Sequence, residues 1–384
     1  MQPVPTPPSS NVPADQDLAE QALPGHGIPS QDPDPAAQIA LSPQESEREA
    51  KSTLVGGGMV AGMATGAAIG IGVAGPVGAV VGASLGAVVG ALGGAAAGTA
   101  ASTTTTDGAS PASTAPAATV RLHIEDSGGS GRPLVLIHGW PLSAQAWEPQ
   151  VAVLQAAGYR VVAYDRRGFG RSDKPESDYS YDTLADDLQS VMDQCGLQDV
   201  TLVGFSMGGG EVARYIARHG ESRLHSVVFA AAVPPYLLQT ADNPDGPLTP
   251  EKAQQNKDAL TQDRTAFFDH FTRDFFSAHG VLHVTESQRS DAIALCQQSA
   301  QHAALGCMEA FGTTDFREDL KKVTVPTLVV HGDADAVVPL TGSGLRTHHA
   351  VRHSQLVQIS GAPHGMNVSH AQAFNDALLS FLRP

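Results

Sequence analysis

The stretch VTLVGFSMGGGEVARYIARHG, residues 200 to 220, decides the fold of this chain. Its first residues are apolar and β-prone, as in a buried strand, and GEVARYIARHG has the apolar spacing of a helix. Ser206 stands between the two, with Gly204 and Gly208 two residues away on either side. We therefore predict a sharp strand-to-helix turn that carries Ser206.

The glycines of this turn have a physical reason. The backbone of a nucleophile on such a turn is strained, and bulky neighbours two residues away would collide with the adjoining strand and helix. The turn also leaves the N–H of Met207 at the start of a helix, where it can stabilise an anionic oxygen. The alternative is a flexible loop whose serine is there by chance, and the flanking strand and helix favour the turn.

Composition excludes several classes of protein. The chain has 384 residues and a formal net charge of −16, which argues against nucleic acid as a partner because phosphate backbones require dense Lys and Arg. Three cysteines at wide spacing, Cys195, Cys296 and Cys307, indicate free thiols rather than a disulfide framework or a zinc site. We expect no metal and no cofactor. We also expect no secretory signal, since MQPVPTPPSS lacks a basic patch and an apolar core.

The composition changes sharply along the chain. Residues 1–51 are rich in Pro, Gln, Ser and acidic side chains and predict a disordered arm. Residues 52–100 are uncharged and rich in glycine, and residues 101–118 form a Ser/Thr/Pro/Ala linker. From residue 119 to residue 384 the pattern is that of an ordinary globular domain.

The uncharged stretch has glycine at every fourth residue. These glycines are at positions 58, 62, 66 and 70, and again at 78, 82, 86, 90, 94 and 98. This spacing places them on one helix face, and Gly75-Pro76 interrupts it, which predicts a glycine-zipper-like helical hairpin. Each arm is close to the length that crosses a bilayer, so we expect membrane or envelope association through residues 53–99, or self-association. A soluble self-packing segment and a disordered low-complexity linker are the alternatives.

Strand and helix signals alternate outward from the turn. Strands are predicted in the segments TVRLHIEDSG, RPLVLIHG, YRVVAYD, DVTLVG, LHSVVFAAAV, VPTLVVHG and SQLVQIS. DTLADDLQSVMDQC between them is helical. The alternation predicts an α/β fold with a mostly parallel, doubly wound sheet, whose sites form at the carboxyl ends of the strands.

Three further motifs follow predicted strands. HGWP, residues 138–141, offers the N–H of Trp140 as a second oxyanion donor, although the motif taken alone favours a simple turn made by Gly139 and Pro141. HGDADAVVP contains Asp333 and Asp335, of which one can enter a site while the other caps the turn, and GAPHGMN isolates His364. Serine, acid and base occur in the order expected for a hydrolase triad, with Ser206 as nucleophile and His364 as base.

From about Val120 to its C-terminus the chain resembles an α/β-hydrolase. More narrowly, it resembles the cofactor-free bacterial aryl esterases also called non-haem chloroperoxidases or perhydrolases. The matching stretches are HGWPLSAQAWEPQ, GYRVVAYDRRGFGRSDKP, TLVGFSMGGGEVARYIARHG, TDFREDLKKVTVPTLVVHGDADAVVP and APHGMNVSHAQAFNDALLSFL. Residues 1 to about 117 have no counterpart in this family's pattern.

The resemblance implies a specific chemistry. The acid of the family lies just before xxVP, which selects Asp335, and acyl transfer would use the N–H groups of Trp140 and Met207 as the oxyanion hole. Small or aryl esters are the implied substrates, with hydrogen peroxide and halide as further reactants. Trp140 and Met207 are also expected to contact the substrate, and no cofactor is implied.

A helical insertion is predicted at about residues 234–313, where such domains usually have a lid. Its phenylalanines can line an acyl or aryl pocket or simply pack the lid onto the sheet: Phe267, Phe268, Phe271, Phe275 and Phe276. His348 and His349 are predicted on a solvated helix.

A hypothesis of another class treats the protein as a membrane-associated scaffold whose main role lies in the glycine-rich hairpin. The presence of serine, acid and base together favours an enzyme. We expect a bacterial protein, associated with a membrane or envelope through the hairpin and otherwise cytoplasmic, that forms a homo-oligomer.

Overall fold

The computed structural model describes residues 120–383. The predictions for the disordered arm, the glycine-rich hairpin and the linker of residues 101–118 all lie outside the described residues. Within residues 120–383, no helix combines the length and the apolar character that crossing a bilayer requires.

The centre of the described part is a sheet of seven strands: β1 (His123–Asp126), β2 (Pro133–Ile137), β3 (Arg160–Asp165), β4 (Val200–Phe205), β5 (Leu224–Ala230), β8 (Thr327–Gly332) and β9 (Gln355–Ile359). Their order in the sheet is β1-β3-β2-β4-β5-β8-β9. A small separate hairpin is formed by β6 (Ser277–Ala278) and β7 (Val281–Leu282). All seven predicted strands of the sheet are thus confirmed.

Only the edge pairing of β1 with β3 is antiparallel in this sheet, and its remaining pairings are parallel. The central strands β2, β4 and β8 are almost continuously buried, because helices cover both faces of the sheet. The predicted doubly wound α/β class is therefore confirmed. Parallel pairing also brings the ends of β4, β5 and β8 to the same edge.

Helices connect and cover the strands. They are α1 (Glu148–Ala156), α2 (Tyr181–Gln194), α3 (Met207–His219), α4 (Pro250–Gln262), α5 (Arg264–Phe276), α6 (Glu286–Gln297), α7 (Gln301–Thr313), α8 (Arg317–Leu320), α9 (Gly344–Ala350), α10 (Met366–Ser369) and α11 (Ala371–Leu382). Helix α3 begins directly after Ser206. Helix α9 carries His348 and His349, and His349 is exposed, as predicted for a solvated helix.

The turn between β4 and α3 has the strained geometry that its sequence predicts. Ser206 has φ 54° and ψ −118°, a conformation that L-residues other than glycine rarely adopt. A Cβ on Gly204 would lie 2.5 Å from the carbonyl oxygen of Gly208, and one on Gly208 would lie 2.5 Å from that of Ile137. Larger residues at either position would therefore push the turn away from the sheet.

Helices α4, α5, α6 and α7 lie in the chain between β5 and β8, within the interval predicted for a lid. Each of α4, α5 and α6 begins with a side-chain cap, from Thr249, Asp263 and Thr285 respectively. Cys296 and Cys307 are buried in α6 and α7. Burial raises the pKa of Cys307 to about 12, so this thiol is an inert packing group.

Candidate active site

Ser206, His364 and Asp335 form one hydrogen-bonded line. His364 Nε2 lies 2.9 Å from Ser206 Oγ, and His364 Nδ1 lies 2.6 Å from Asp335 Oδ2. All three side chains are almost entirely buried. Ser206 follows β4, Asp335 lies three residues beyond β8, and His364 lies in the loop after β9, so three strand ends supply the three groups.

The two aspartates after β8 have different positions. Asp335 is buried and faces His364, and its Oδ1 accepts the backbone N–H groups of Val337 and Val338 at 2.9 and 2.8 Å. Asp333 is exposed, and its Oδ1 accepts the N–H of Gly361 at 2.6 Å. One aspartate thus enters the site while the other holds a turn.

Electrostatics keep Asp335 ionised. Burial alone would raise the pKa of this carboxyl, but the facing charge of His364 and hydrogen bonds from His331 and His364 hold it well below its ordinary value. A carboxylate in this position favours the His364 tautomer that carries a proton on Nδ1. In that tautomer Nε2 is free to accept the Ser206 proton.

The two predicted oxyanion donors belong to Met207, which directly follows Ser206, and to Trp140, whose loop contacts the same turn. Among the described residues, neither the N–H of Trp140 nor that of Met207 donates a hydrogen bond to the protein. The loop of Trp140 packs tightly on the turn, since a Cβ on Gly139 would lie 2.8 Å from the Phe205 ring and 3.1 Å from Ser206 Cβ. Both N–H groups therefore remain available to an external acceptor.

A buried ion pair joins the loop of Trp140 to the nucleophile helix. Arg166, at the end of β3, donates from Nε to Glu211 Oε1 on α3 at 2.6 Å and from Nη2 to the carbonyl of His138 at 2.6 Å. Tyr164 donates to Glu211 Oε2 at 2.7 Å. Removing one partner of such a buried pair typically costs about 3–5 kcal/mol, because the other charge is left without compensation.

His138 belongs to this network as a neutral imidazole. Burial and the neighbouring charge of Arg166 lower its pKa to about 3. Its Nε2 accepts the backbone N–H of Arg166 at 3.0 Å, and its Nδ1 donates to the carbonyl of Gly139 at 2.9 Å. His138 is thus a structural group of the loop rather than a second base.

A cavity of about 350 Å³ opens onto Ser206 and His364. Its wall is mostly apolar and comes from the Trp140 loop, the segments beside β5 and β8, and helices α4, α5 and α7. Four polar side chains of α4 and α5 complete it, namely Lys252, Asn256, His270 and Asp274. The cavity thus suits a compact, largely apolar molecule.

Some of the residues predicted to line a pocket form the wall of the cavity, and the others pack behind it. Trp140, Phe267 and Phe271 line the cavity. The other three phenylalanines are buried, and the ring of Phe275 lies 5.1 Å from that of His364, edge to face. Met207 has no exposed surface and is not among the described residues that line the cavity, so its predicted contact with substrate falls to its backbone N–H.

Sequence reasoning missed several groups of the site. Phe311 and Met308 of α7 line the cavity, but an apolar residue of a lid helix does not reveal which way it faces. Arg166, Glu211 and His331 were missed as well, although all three stand inside quoted stretches, namely DRRG, GGGEVARYIARHG and HGDADAVVP. Within residues 120–383, no cluster of three or more His, Cys, Asp or Glu side chains could hold a metal ion.

Comparison with known proteins identifies the family of the chain. Residues 132–371 match the family model described as the alpha/beta hydrolase fold. A non-haem chloroperoxidase of Kitasatospora aureofaciens is 41% identical over 257 residues, which cover 66% of this chain and 93% of the relative. A bifunctional esterase/perhydrolase of Acinetobacter calcoaceticus is 35% identical, with 69% of this chain and 96% of the relative covered.

A solved structure of similar fold and sequence supports the same family. The bromoperoxidase from Bacillus anthracis is 50% identical, with a TM-score of 0.68, and the match covers 69% of this chain and 96% of the other. The match to the family model begins at residue 132, so the long N-terminal extension lies outside it. The chain therefore belongs to the α/β-hydrolase family of enzymes, in the group that contains the non-haem chloroperoxidases and the esterase/perhydrolases.

Proposed function

We propose that this protein is a serine esterase that cleaves small or aryl carboxylic esters through an acyl-enzyme. The observation that carries this proposal is the hydrogen-bonded line from Ser206 Oγ through His364 to Asp335, which opens into an apolar cavity of about 350 Å³. The alternative of a scaffold without chemistry has no use for this line of side chains, and membership of an enzyme family disfavours it.

In the first half of the reaction, Ser206 Oγ attacks the ester carbonyl while its proton moves to His364 Nε2. Asp335 stabilises the imidazolium that forms, and the N–H groups of Trp140 and Met207 bind the oxyanion. When the intermediate collapses, the bond to the leaving oxygen breaks and His364 returns the proton to the alcohol. An acyl group then remains on Ser206.

In the second half, water attacks the acyl carbonyl while His364 takes its proton, and the carboxylic acid leaves as Ser206 is regenerated. Hydrogen peroxide can replace water, and the product is then a peracid. A peracid transfers one oxygen to a halide ion, which is oxidised to hypohalous acid while the peracid is reduced to the carboxylate. This sequence requires neither haem nor metal, and it is supported by the relationship to an esterase/perhydrolase.

The experiment combines covalent labelling with product partition. A fluorophosphonate probe is expected to add once to the full chain, on the peptide that contains Ser206, and to block p-nitrophenyl acetate hydrolysis. With acetate ester, hydrogen peroxide and bromide together, the unlabelled protein is expected to brominate a phenolic dye, and the labelled protein is not. Ester turnover that survives full labelling contradicts the serine mechanism, whereas turnover without bromination removes only the perhydrolase part.

We also propose, from sequence alone, that residues 53–99 attach the enzyme to a membrane or to further copies of itself. The four-residue glycine spacing in a stretch without charges supports this. Liposome flotation and size-exclusion chromatography of the full chain, beside a chain that lacks residues 53–99, test it. Flotation or a larger assembly is expected only with the segment present, and identical behaviour of both chains refutes the proposal.

A further inference from the structure

A second histidine lies against the carboxylate of Asp335. His331 is the penultimate residue of β8 and has no exposed surface. Its Nε2 lies 2.8 Å from the carbonyl oxygen of Val338 and 3.2 Å from Asp335 Oδ2. Asp335 Oδ2 is therefore shared by two imidazole rings, those of His364 and His331.

The contacts of His331 determine which of its two ring nitrogens carries the proton. The Val338 carbonyl can only accept a hydrogen bond, so Nε2 carries the proton and donates it. Nδ1 is buried without a partner among the described residues, and the backbone of Gly344 closes off that side of the ring, since a Cβ there would lie 2.6 Å from Nδ1. The neutral Nε2–H form is the one that these surroundings satisfy, because a proton on Nδ1 would have no acceptor.

The contact has a consequence for the orientation of the carboxylate. Oδ1 of Asp335 is held by the N–H groups of Val337 and Val338. The single Nε2–H of His331 makes its shorter contact, 2.8 Å, with the Val338 carbonyl and a longer, shared contact of 3.2 Å with Oδ2, the oxygen that His364 also faces. Because His331 also bonds the Val338 carbonyl, its side chain links the two ends of the segment from residue 331 to residue 338. Both carboxylate oxygens are then fixed before the substrate arrives.

We propose that His331 is a positioning residue, whose Nε2–H holds Asp335 Oδ2 in line with His364 Nδ1. It touches neither the substrate nor the reacting atoms, and it acts through Asp335. The role rests on the proposed serine mechanism, in which the carboxylate must stabilise the His364 imidazolium as it forms. A rotation of the carboxylate would weaken that stabilisation in the transition state more than in the resting enzyme.

Three variants of the full chain separate a hydrogen-bond donor from simple filling of space. In His331→Gln the amide nitrogen can reach the Nε2 position, in His331→Asn it reaches only the Nδ1 position, and in His331→Leu no donor remains. We expect the Gln variant to keep kcat for p-nitrophenyl acetate within about threefold, and the Asn and Leu variants to lose about 10- to 100-fold with KM little changed. His353→Leu is the control, because the exposed His353 also bonds a backbone carbonyl, that of Val325 at 2.9 Å, which precedes β8 whereas Asp335 follows it.

A second readout does not depend on turnover. The proton between His364 Nδ1 and Asp335 Oδ2 gives a low-field NMR resonance, which we expect to move or broaden in the Asn and Leu variants and to stay in place in the Gln and control variants. An unchanged resonance and kcat in a folded Leu variant would overturn the proposal. So would a folded Gln variant that loses as much kcat as Asn. Failure of the esterase proposal is distinguishable, since it shows as Ser206-independent turnover and leaves the NMR comparison intact.

Discussion

Replacement of Ser206 by alanine is expected to lower kcat for p-nitrophenyl acetate by about 10⁵- to 10⁶-fold, the scale of loss when a serine nucleophile is removed from a triad. The alanine variant still holds substrate in the cavity and retains the oxyanion donors, but no acyl-enzyme can form. Stability should change little, because the hydroxyl bonds only to His364 among the described residues.

The assay for this variant is initial-rate hydrolysis of the full chain, corrected for spontaneous hydrolysis of the ester. Ser143→Ala is the matched control. Ser143 is a buried serine in the loop that carries Trp140, and its Oγ has no hydrogen-bond partner within the described part of the chain. Its replacement should leave kcat within a few-fold of the parent. Equal activity of the two variants would mean that Ser206 is not the nucleophile.

Replacement of Asp335 by asparagine is expected to lower kcat by about 10⁴-fold, with a smaller effect on KM. The amide has nearly the shape of the carboxylate, but it carries no charge to stabilise the His364 imidazolium. Its NH₂ group can also donate to Nδ1, which favours the tautomer whose Nε2 is protonated and unable to accept the serine proton.

Asp333→Asn is the control for this replacement, since Asp333 is exposed and its carboxylate accepts only the N–H of Gly361 among the described residues. Its loss should remain within about fivefold, because only a surface turn is weakened. The pair is measured by kcat and KM across pH 5 to 9, where Asp335 remains ionised because its pKa lies below its ordinary value. A larger loss from Asp333→Asn than from Asp335→Asn would reverse the assignment of the acid.

Local patterns were sufficient for the sheet and for the nucleophile turn. A buried parallel strand is a short apolar run, and the Gly204 and Gly208 spacing reflects collisions between atoms only a few residues apart. These are properties of a single stretch of chain, so the sequence of that stretch predicts them. The choice of Asp335 over Asp333 required more, because both occupy the same loop and only family resemblance separated them.

The groups that support the site were not predictable in this way. Arg166 and Glu211 are 45 residues apart and meet only because β3 and α3 are brought together by the sheet. From the sequence, both residues are expected at the surface, where most Arg and Glu side chains lie. Likewise, the spacing of the α5 phenylalanines shows an apolar face, but not that Phe267 and Phe271 contact the cavity while Phe275 packs on His364.

The hydrogen bond between Ser206 and His364 joins residues that are 158 positions apart, with the whole insertion between β5 and β8 in the intervening chain. Nucleophile and base are therefore contributed by segments before and after this insertion, and a nascent chain gains its chemistry only when its last segments dock. Ester turnover is thus a direct reporter of complete folding. A protease cut in the insertion would produce two fragments that are inert singly, and any activity recovered on mixing them would measure their reassembly.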